Sequence, residues 1–173
     1  STKMIFETMG SRKIWVWSVD KAGNPSVPGF AVTKIDAEMV TFSEFSPGHQ
    51  VWVNTHTPIS SLLISDGEGS GVSAKDVQYS ISSTTVEEYS AWANIKLPRD
   101  APEVRASVKT TFINGKDNWI RYRAKDVAGN GWTYSNDFNV WVDEEAPSFI
   151  NFRPYETEYQ NGKSVVISMD ITD

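Results

Sequence analysis

RYRAKDVAGNGWTYS, Arg121 to Ser135, alternates along its first half and then breaks on a Gly-Asn-Gly run. Ile120, Tyr122 and Ala124 fall on one side of a period-two pattern, and Arg121, Arg123 and Lys125 fall on the other. Side chains alternate across a strand, so this is a half-buried strand. Arginine is almost never buried without a partner, so the arginine side is the outer one. Gly129 and Asn130 accept a left-handed backbone at low cost, and an Asp126 carboxylate can take the amides of the turn they form. The run Lys125 to Asn130 is echoed by VDKAGN at Val19 to Asn24.

The same alternation extends on both sides. EVRASVKTTF (Glu103–Phe112) and FNVWVD (Phe138–Asp143) read at period two, and turn-forming clusters separate the runs: SDGEGSG (Ser65–Gly71), PRDAP (Pro98–Pro102) and INGKDN (Ile113–Asn118). Ser, Thr, Val, Tyr and Trp dominate the runs, as pleated, half-buried surfaces prefer. VEEYSAWANIKL (Val86–Leu97) would pass as an amphipathic helix, but its aromatic and polar alternation is read here as strand. The class is all-β.

The echo is part of a longer register. The displacement that sets Asp36 on Asp143 also sets Phe42 on Phe149, Phe45 on Phe152, Pro47 on Pro154, Ser61 on Ser168, Ile64 on Ile171 and Asp66 on Asp173, without a gap. A displacement one position shorter sets Ile14 on Ile120, Asp20 on Asp126 and Gly23-Asn24 on Gly129-Asn130. The period, about 107 residues, is the size of an immunoglobulin-like sandwich. Its phase implies three parts: residues 1–36, the last strands of a preceding Ig-like domain; residues 37–143, one complete seven-stranded unit; and residues 144–173, the first strands of a following one. The fold expected is therefore an Ig-like antiparallel β-sandwich in tandem repeat. The junctions KIDAEMVTF and VWVDEEAPSF are short and acidic with no Gly/Ser linker, which predicts a stiff rod.

Composition narrows the function. The net charge of −6 opposes nucleic acid or an anionic membrane as partner, since either needs a basic surface. Without cysteine there is no disulfide framework or thiolate metal site. No apolar run approaches the roughly 20 residues of a membrane span. His49 and His56 lack a Glu-x-x-His companion, and there is no Gly-x-Ser-x-Gly elbow or phosphate loop, so the sequence gives no reason to expect an enzyme.

SDGEGSGVSAKDVQYSIS, IRYRAKDVAGNGWTYS and FNVWVDEEAPSF together resemble the tandem Ig-like, fibronectin-III-like repeats of large bacterial and archaeal cell-surface proteins, such as S-layer, sheath or adhesin proteins. The shared features are the Asp-x-x-Gly-Asn turn between the last two strands, an Asp-x-x-x-Pro junction and a Gly-Ser-Gly-Val turn. The first junction departs from the pattern, with Val40 in the place of Pro147. The resemblance implies an extracellular, cell-surface location and a non-catalytic structural or adhesive module that stacks end to end and assembles laterally. Its partners would be neighbouring domains or copies of the same protein, with cell-surface glycan as a further class. The alternative is a carbohydrate-binding or accessory module of an extracellular hydrolase.

Two groups of side chains carry candidate chemistry. Asp66 and Glu68 in the glycine-rich loop, and Asp143 and Glu145 at the second junction, are the oxygen donors a calcium ion would use, although neither has EF-hand or nonapeptide spacing. No other cofactor is implied. Of seven tryptophans, Trp52, Trp92 and Trp119 are expected in the core. Trp15 and Trp17 align with Arg121 and Arg123, so they are expected to point outward with Ile14 and Val16 inward, as interface or sugar-stacking residues.

Overall fold

The computed structural model describes residues 4–6, 8–155, 159–162 and 164–173. Among these residues every regular element is a strand, and no helix is long and apolar enough to cross a membrane. In chain order the strands are β1 (Gly10–Val16), β2 (Gly29–Ile35), β3 (Thr41–Ser46), β4 (Val51–Val53), β5 (Ile59–Ser65), β6 (Val72–Ser82) and β7 (Ala93–Asn94). There follow β8 (Glu103–Lys109), β9 (Gly115–Asp126), β10 (Thr133–Tyr134), β11 (Phe138–Val142), β12 (Ser148–Arg153) and β13 (Ser168–Thr172).

Two sheets enclose the core. One has the order β3-β5-β8; the other runs β4-β11-β9-β6-β7, with β10 added to β9. Leu62, Ile64 and Ala106 from the first sheet meet Val72, Val77, Ile120, Tyr122, Ala124, Val140 and Val142 from the second in a single buried cluster, consistent with a β-sandwich. The arginines do mark the outer side of β9: Ile120, Tyr122 and Ala124 are buried, and Arg121, Arg123 and Lys125 between them are not. Among the described residues all strand pairings are antiparallel except β4 with β11, which is parallel and places Trp52 beside Trp141. The chain reaches β4 by leaving the first sheet after β3, through a bend at Pro47 and a turn at His49 and Gln50.

The strands at either end form separate two-stranded sheets, β1 with β2 and β12 with β13. Their pairing follows that of the sandwich strands. β3 and β5 pair Thr41 with Ser65, Phe42 with Ile64 and Ser43 with Leu63, then skip to Ser46 with Ser61. β12 and β13 pair Ser148 with Thr172, Phe149 with Ile171 and Ile150 with Asp170, then skip to Arg153 with Ser168. Every pair moves by the one step that sets Asp36 on Asp143, the bulge included. Inside the two bulges Glu44 and Asn151, related by the same step, take φ of 52° and 56°. In the first hairpin Ile14–Ala31 and Lys13–Val32 correspond to Ile120–Phe138 and Trp119–Asn139 between β9 and β11, with β1 moved by the shorter displacement and β2 by the longer one.

Three expectations change. Val86–Leu97 is mostly turn and loop, and only Ala93–Asn94 pairs, at the edge of β6. Nine strands, not seven, lie between residues 37 and 143, because edges as short as β4, β7 and β10 leave no alternation to read. Trp52, Trp92 and Trp119 are not core residues: Trp52 is 49% exposed, and the other two are half-buried. Trp119 shares the outer side of β9 with Arg121, so the alternation that puts the arginine outside carries the indole with it. Phe112 and Tyr122 are the aromatic residues of the core instead.

Candidate functional site: an acidic junction and an aromatic outer face

At one end of the sandwich three segments converge: the chain leaving β2, the loop between β5 and β6, and the turn after β9. The turn is built on Asp126. Its Oδ1 accepts the amides of Gly129 and Asn130 at 2.5 and 2.9 Å, and its Oδ2 accepts Asn130 Nδ2 at 2.7 Å. Gly129 sits at φ +88°, where a side chain would be strained. The hairpin turn at Asp20 has the same construction, with Oδ1 accepting Ala22 and Asn24 amides, Oδ2 accepting Asn24 Nδ2, and Gly23 at φ +91°. These amide bonds, led by Asn24, hold the Asp20 carboxyl below its ordinary value.

The loop after β5 is fastened to both neighbours. Gly71 donates to Asp66 Oδ2 at 2.6 Å and accepts the Val127 amide, while Ser70 Oγ accepts the Ala128 amide at 2.8 Å. Ser70 N–H donates to Asp36 Oδ2 at 2.7 Å. Asn130 Nδ2 reaches back to the carbonyls of Asp36 and Glu38, both at 3.1 Å.

The consequence is a knot of carboxylates. Asp36, Asp66 and Asp126 each bring an oxygen within 4.8 Å of the other two. Asp66 is 3% exposed, and its Oδ1 is inaccessible and without a hydrogen-bond partner. Burial pushes its carboxyl above the ordinary aspartate value, the Gly71 amide works against this, and the charges of Asp36, Asp126 and Glu38 push it further up. Burial also raises Asp36, but bonds from the Ser70 hydroxyl and amide and the Glu38 amide outweigh that and leave it lowered. No lysine or arginine among the described residues forms an ion pair with any of the three.

Of the calcium candidates in the sequence, Asp66 lies in this knot and Glu68 is exposed at its rim, lining the cleft beside Asp36. Asp143 and Glu145 lie at the opposite end, where Asp143 Oδ1 accepts the Glu145 amide. Among the described residues no third acidic group closes on them. Asp143 does share a cleft there with Asp173, which the displacement that sets Asp36 on Asp143 pairs with Asp66. Asp36 is a member of the knot that the sequence reading does not single out. Its signal lies in the register that sets it on Asp143, a junction residue that is singled out.

The second feature is the outer face of the larger sheet, where cations and rings interleave. The Arg121 guanidinium lies 3.9 Å from the Tyr89 ring centre and 5.0 Å from that of Trp92. Arg123 sits between Trp92 and Trp132 at 4.3 and 4.2 Å, and Lys125 lies 4.8 Å from Trp132. Gln78 Oε1 accepts Arg123 Nε at 2.7 Å and fixes the fork. At the far end Trp52 and Trp141 meet edge to face at 5.2 Å, with the Lys116 ammonium 4.6 Å from the Trp141 centroid.

Trp15 and Trp17 lie on the first hairpin, where both sides are open: Trp15 is 50% and Trp17 65% exposed, but Val16, expected inside, is 57% exposed. Trp15 packs on Phe30 at 5.1 Å beneath Lys13. The histidines bind locally. His49 Nδ1 accepts the Asn139 amide, while the His56 amide donates to Glu144 and its ring Nδ1 lies 2.5 Å from Glu144 Oε2.

No protein-family model and no curated protein matches the chain.

Proposed function

We propose that this chain is a non-catalytic structural module of a large secreted, cell-surface protein, built of Ig-like units in tandem. In this reading residues 37–143 are one unit, the first hairpin closes the unit before it, and the last hairpin opens the unit after it. The observation that carries the reading is the strand pairing: β12–β13 repeats β3–β5 pair for pair and bulge for bulge, in the register that sets Asp36 on Asp143. Strand order supports the Ig-like assignment. β3, β5 and β8 take the places of strands A, B and E, and β11, β9 and β6 those of G, F and C. Tyr122 stands two residues before Ala124 on the F-like strand, where antibody domains carry Tyr-x-Cys, although its hydroxyl lacks the backbone bond that the antibody tyrosine makes.

The aromatic face favours this reading over a carbohydrate-binding module. Sugar stacking needs open ring faces. Here the faces of Trp92 and Trp132 are occupied by Arg121, Arg123 and Lys125, so these indoles serve as spacers in a cation–π ladder. Short acidic junctions hold successive units in line, and lateral faces carry assembly contacts.

Two measurements on the full chain test the proposal. X-ray scattering is expected to give an elongated particle with the terminal hairpins extending from the sandwich. Binding to insoluble cell-wall and plant polysaccharides is expected to be absent. Retention on a polysaccharide that is lost on Trp52→Ala would replace this reading with the carbohydrate-binding one.

A further inference from the structure

We infer that Asp36, Asp66 and Asp126 form a calcium-type cation site that ties the incoming chain to the sandwich. The inference does not depend on the array reading, because it needs only these three side chains and the loops that hold them.

Its first support is geometric. An oxygen from each carboxylate lies within 4.8 Å of the others. With Ca–O bonds of about 2.4 Å, one ion bridges two donors about 4.8 Å apart, and three donors at that limit lie about 2.8 Å from their common centre, so closing of the carboxylates by a few tenths of an ångström brings all three onto a single ion. The donors are hard oxygens, and none is paired with a lysine or arginine among the described residues. Glu38, whose charge Asp66 senses, and Glu68, on the cleft wall, stand at the rim as further oxygen donors. An irregular set of six to eight oxygens, part protein and part water, suits calcium better than the strict octahedron of magnesium.

An independent observation points to a ligand. Asp66 is 3% exposed, yet its Oδ1 has neither solvent nor a hydrogen-bond donor. A buried carboxylate oxygen is normally satisfied, since an unpaired one costs free energy with nothing in return. The carboxyl that carries it is surrounded by the further negative charges of Asp36, Asp126 and Glu38. A cation in the knot satisfies the orphan oxygen and cancels the repulsion together. The loop also leaves room for this approach: a Cβ on Gly69 would lie 2.5 Å from Asp66 Oδ2 and 2.9 Å from Asp36 Oδ2, so glycine is what lets both carboxylates close over this point.

The ligands come from three different segments. Asp36 precedes the sandwich, whereas Asp66 and Asp126 belong to its loops. Binding therefore restrains the β1–β2 hairpin relative to the sandwich as well as stabilising both.

The test uses the full chain, stripped of metal with a chelator, and calcium chloride as the probe. Calorimetric titration is expected to show one site with a Kd in the range of about 10⁻⁷ to 10⁻³ M, as sensor and extracellular sites have. The melting temperature is expected to rise with calcium, and magnesium at the same concentration is expected to have a smaller effect. Asp66→Asn keeps an acceptor for the Gly71 amide but removes a charge. It should melt at or above the parent without calcium and below it with calcium. Asp36→Asn, outside the core, provides the same comparison should the buried variant fold poorly. Gly69→Ala should weaken binding at least tenfold with no change of charge. The inference is overturned if calcium at 100 times the upper Kd of about 10⁻³ M shifts neither heat nor melting temperature, or if Asp36→Asn binds as the parent does. It is also overturned if Asp66→Asn lowers the melting temperature equally with and without calcium, which would make Asp66 a turn anchor only.

Discussion

Asn130 Nδ2 donates to the backbone carbonyl of Asp36 at 3.1 Å, so the turn that ends β9 holds the chain that enters the sandwich. The same amide serves Glu38 and Asp126. Asn130→Ala removes all three bonds and leaves two carbonyls and a carboxylate oxygen to find water. The expected loss is about 1–3 kcal/mol in urea unfolding, at the upper end because one acceptor is charged. Asn130→Asp should not rescue it, since it adds a fourth carboxylate to the knot.

Arg123 lies between two indoles and donates to Gln78. Replacing it with alanine should cost about 1–3 kcal/mol and shift tryptophan emission as the Trp92 and Trp132 faces are uncovered. Arg123→Lys should recover only part of this, because an ammonium cannot stack on both rings while filling the guanidinium fork. Equal stability of the parent and the alanine variant would show that the ladder contributes nothing.

Tyr122 is fully buried, and its hydroxyl has no partner. Burial pushes its ionisation far above the ordinary tyrosine range. The variant Tyr122→Phe removes an unpaired polar atom and keeps the ring, so stability is expected to rise by about 1 kcal/mol. A comparable loss in thermal unfolding would mean that the hydroxyl is satisfied in solution.

Glu144 fastens the exit of the sandwich to the turn before β5. The His56 amide is the main cause of its lowered carboxyl pKa; desolvation opposes it, and the His56 side chain adds to the lowering. A depressed folded-state value means that the contribution is present above the unfolded value of 4.5 and is lost as pH falls through the folded one. The His56 amide resonance should therefore move in an acid titration with a midpoint below 4.5, and Glu144→Gln should abolish that movement.

Trp15 and Trp17 lie outside the sandwich core. The double replacement Trp15→Arg, Trp17→Arg should change the main unfolding transition by no more than about 0.5 kcal/mol, as exposed substitutions do. A large loss would place these indoles against the core in solution.

The strand pattern around Arg121–Lys125 was legible because cations and apolar residues alternate there without interruption, so one strand assigned both faces. The register of the end hairpins was legible too, since Phe42, Ser61 and Ile64 recur as Phe149, Ser168 and Ile171. The tryptophans misled because indole tolerates either side of a sheet: Trp92 lies against Arg121 and Arg123, Trp119 shares their side of β9, and Trp52 packs on Trp141. Val86–Leu97 misled for a related reason. Tyr89 and Trp92 keep aromatic spacing while lying across the arginines rather than along a strand. The acidic knot could not be read from local spacing at all, because Asp36, Asp66 and Asp126 stand far apart in the chain and meet only when three loops close over one end.

The parallel pairing of β4 with β11 bears on how the sandwich would carry a load. The Gln50 amide donates to the Asn139 carbonyl and the Asp143 amide to the Val53 carbonyl, so β4 is stitched to β11 along its whole length. Because the two strands run the same way, tension drawn through the chain on either side pulls them past each other lengthwise. The stitches must then fail together, in shear, instead of opening one at a time as the bonds of a hairpin peeled from its end do. Resistance to pulling is thus concentrated in one of the shortest strands of the sandwich, three residues long.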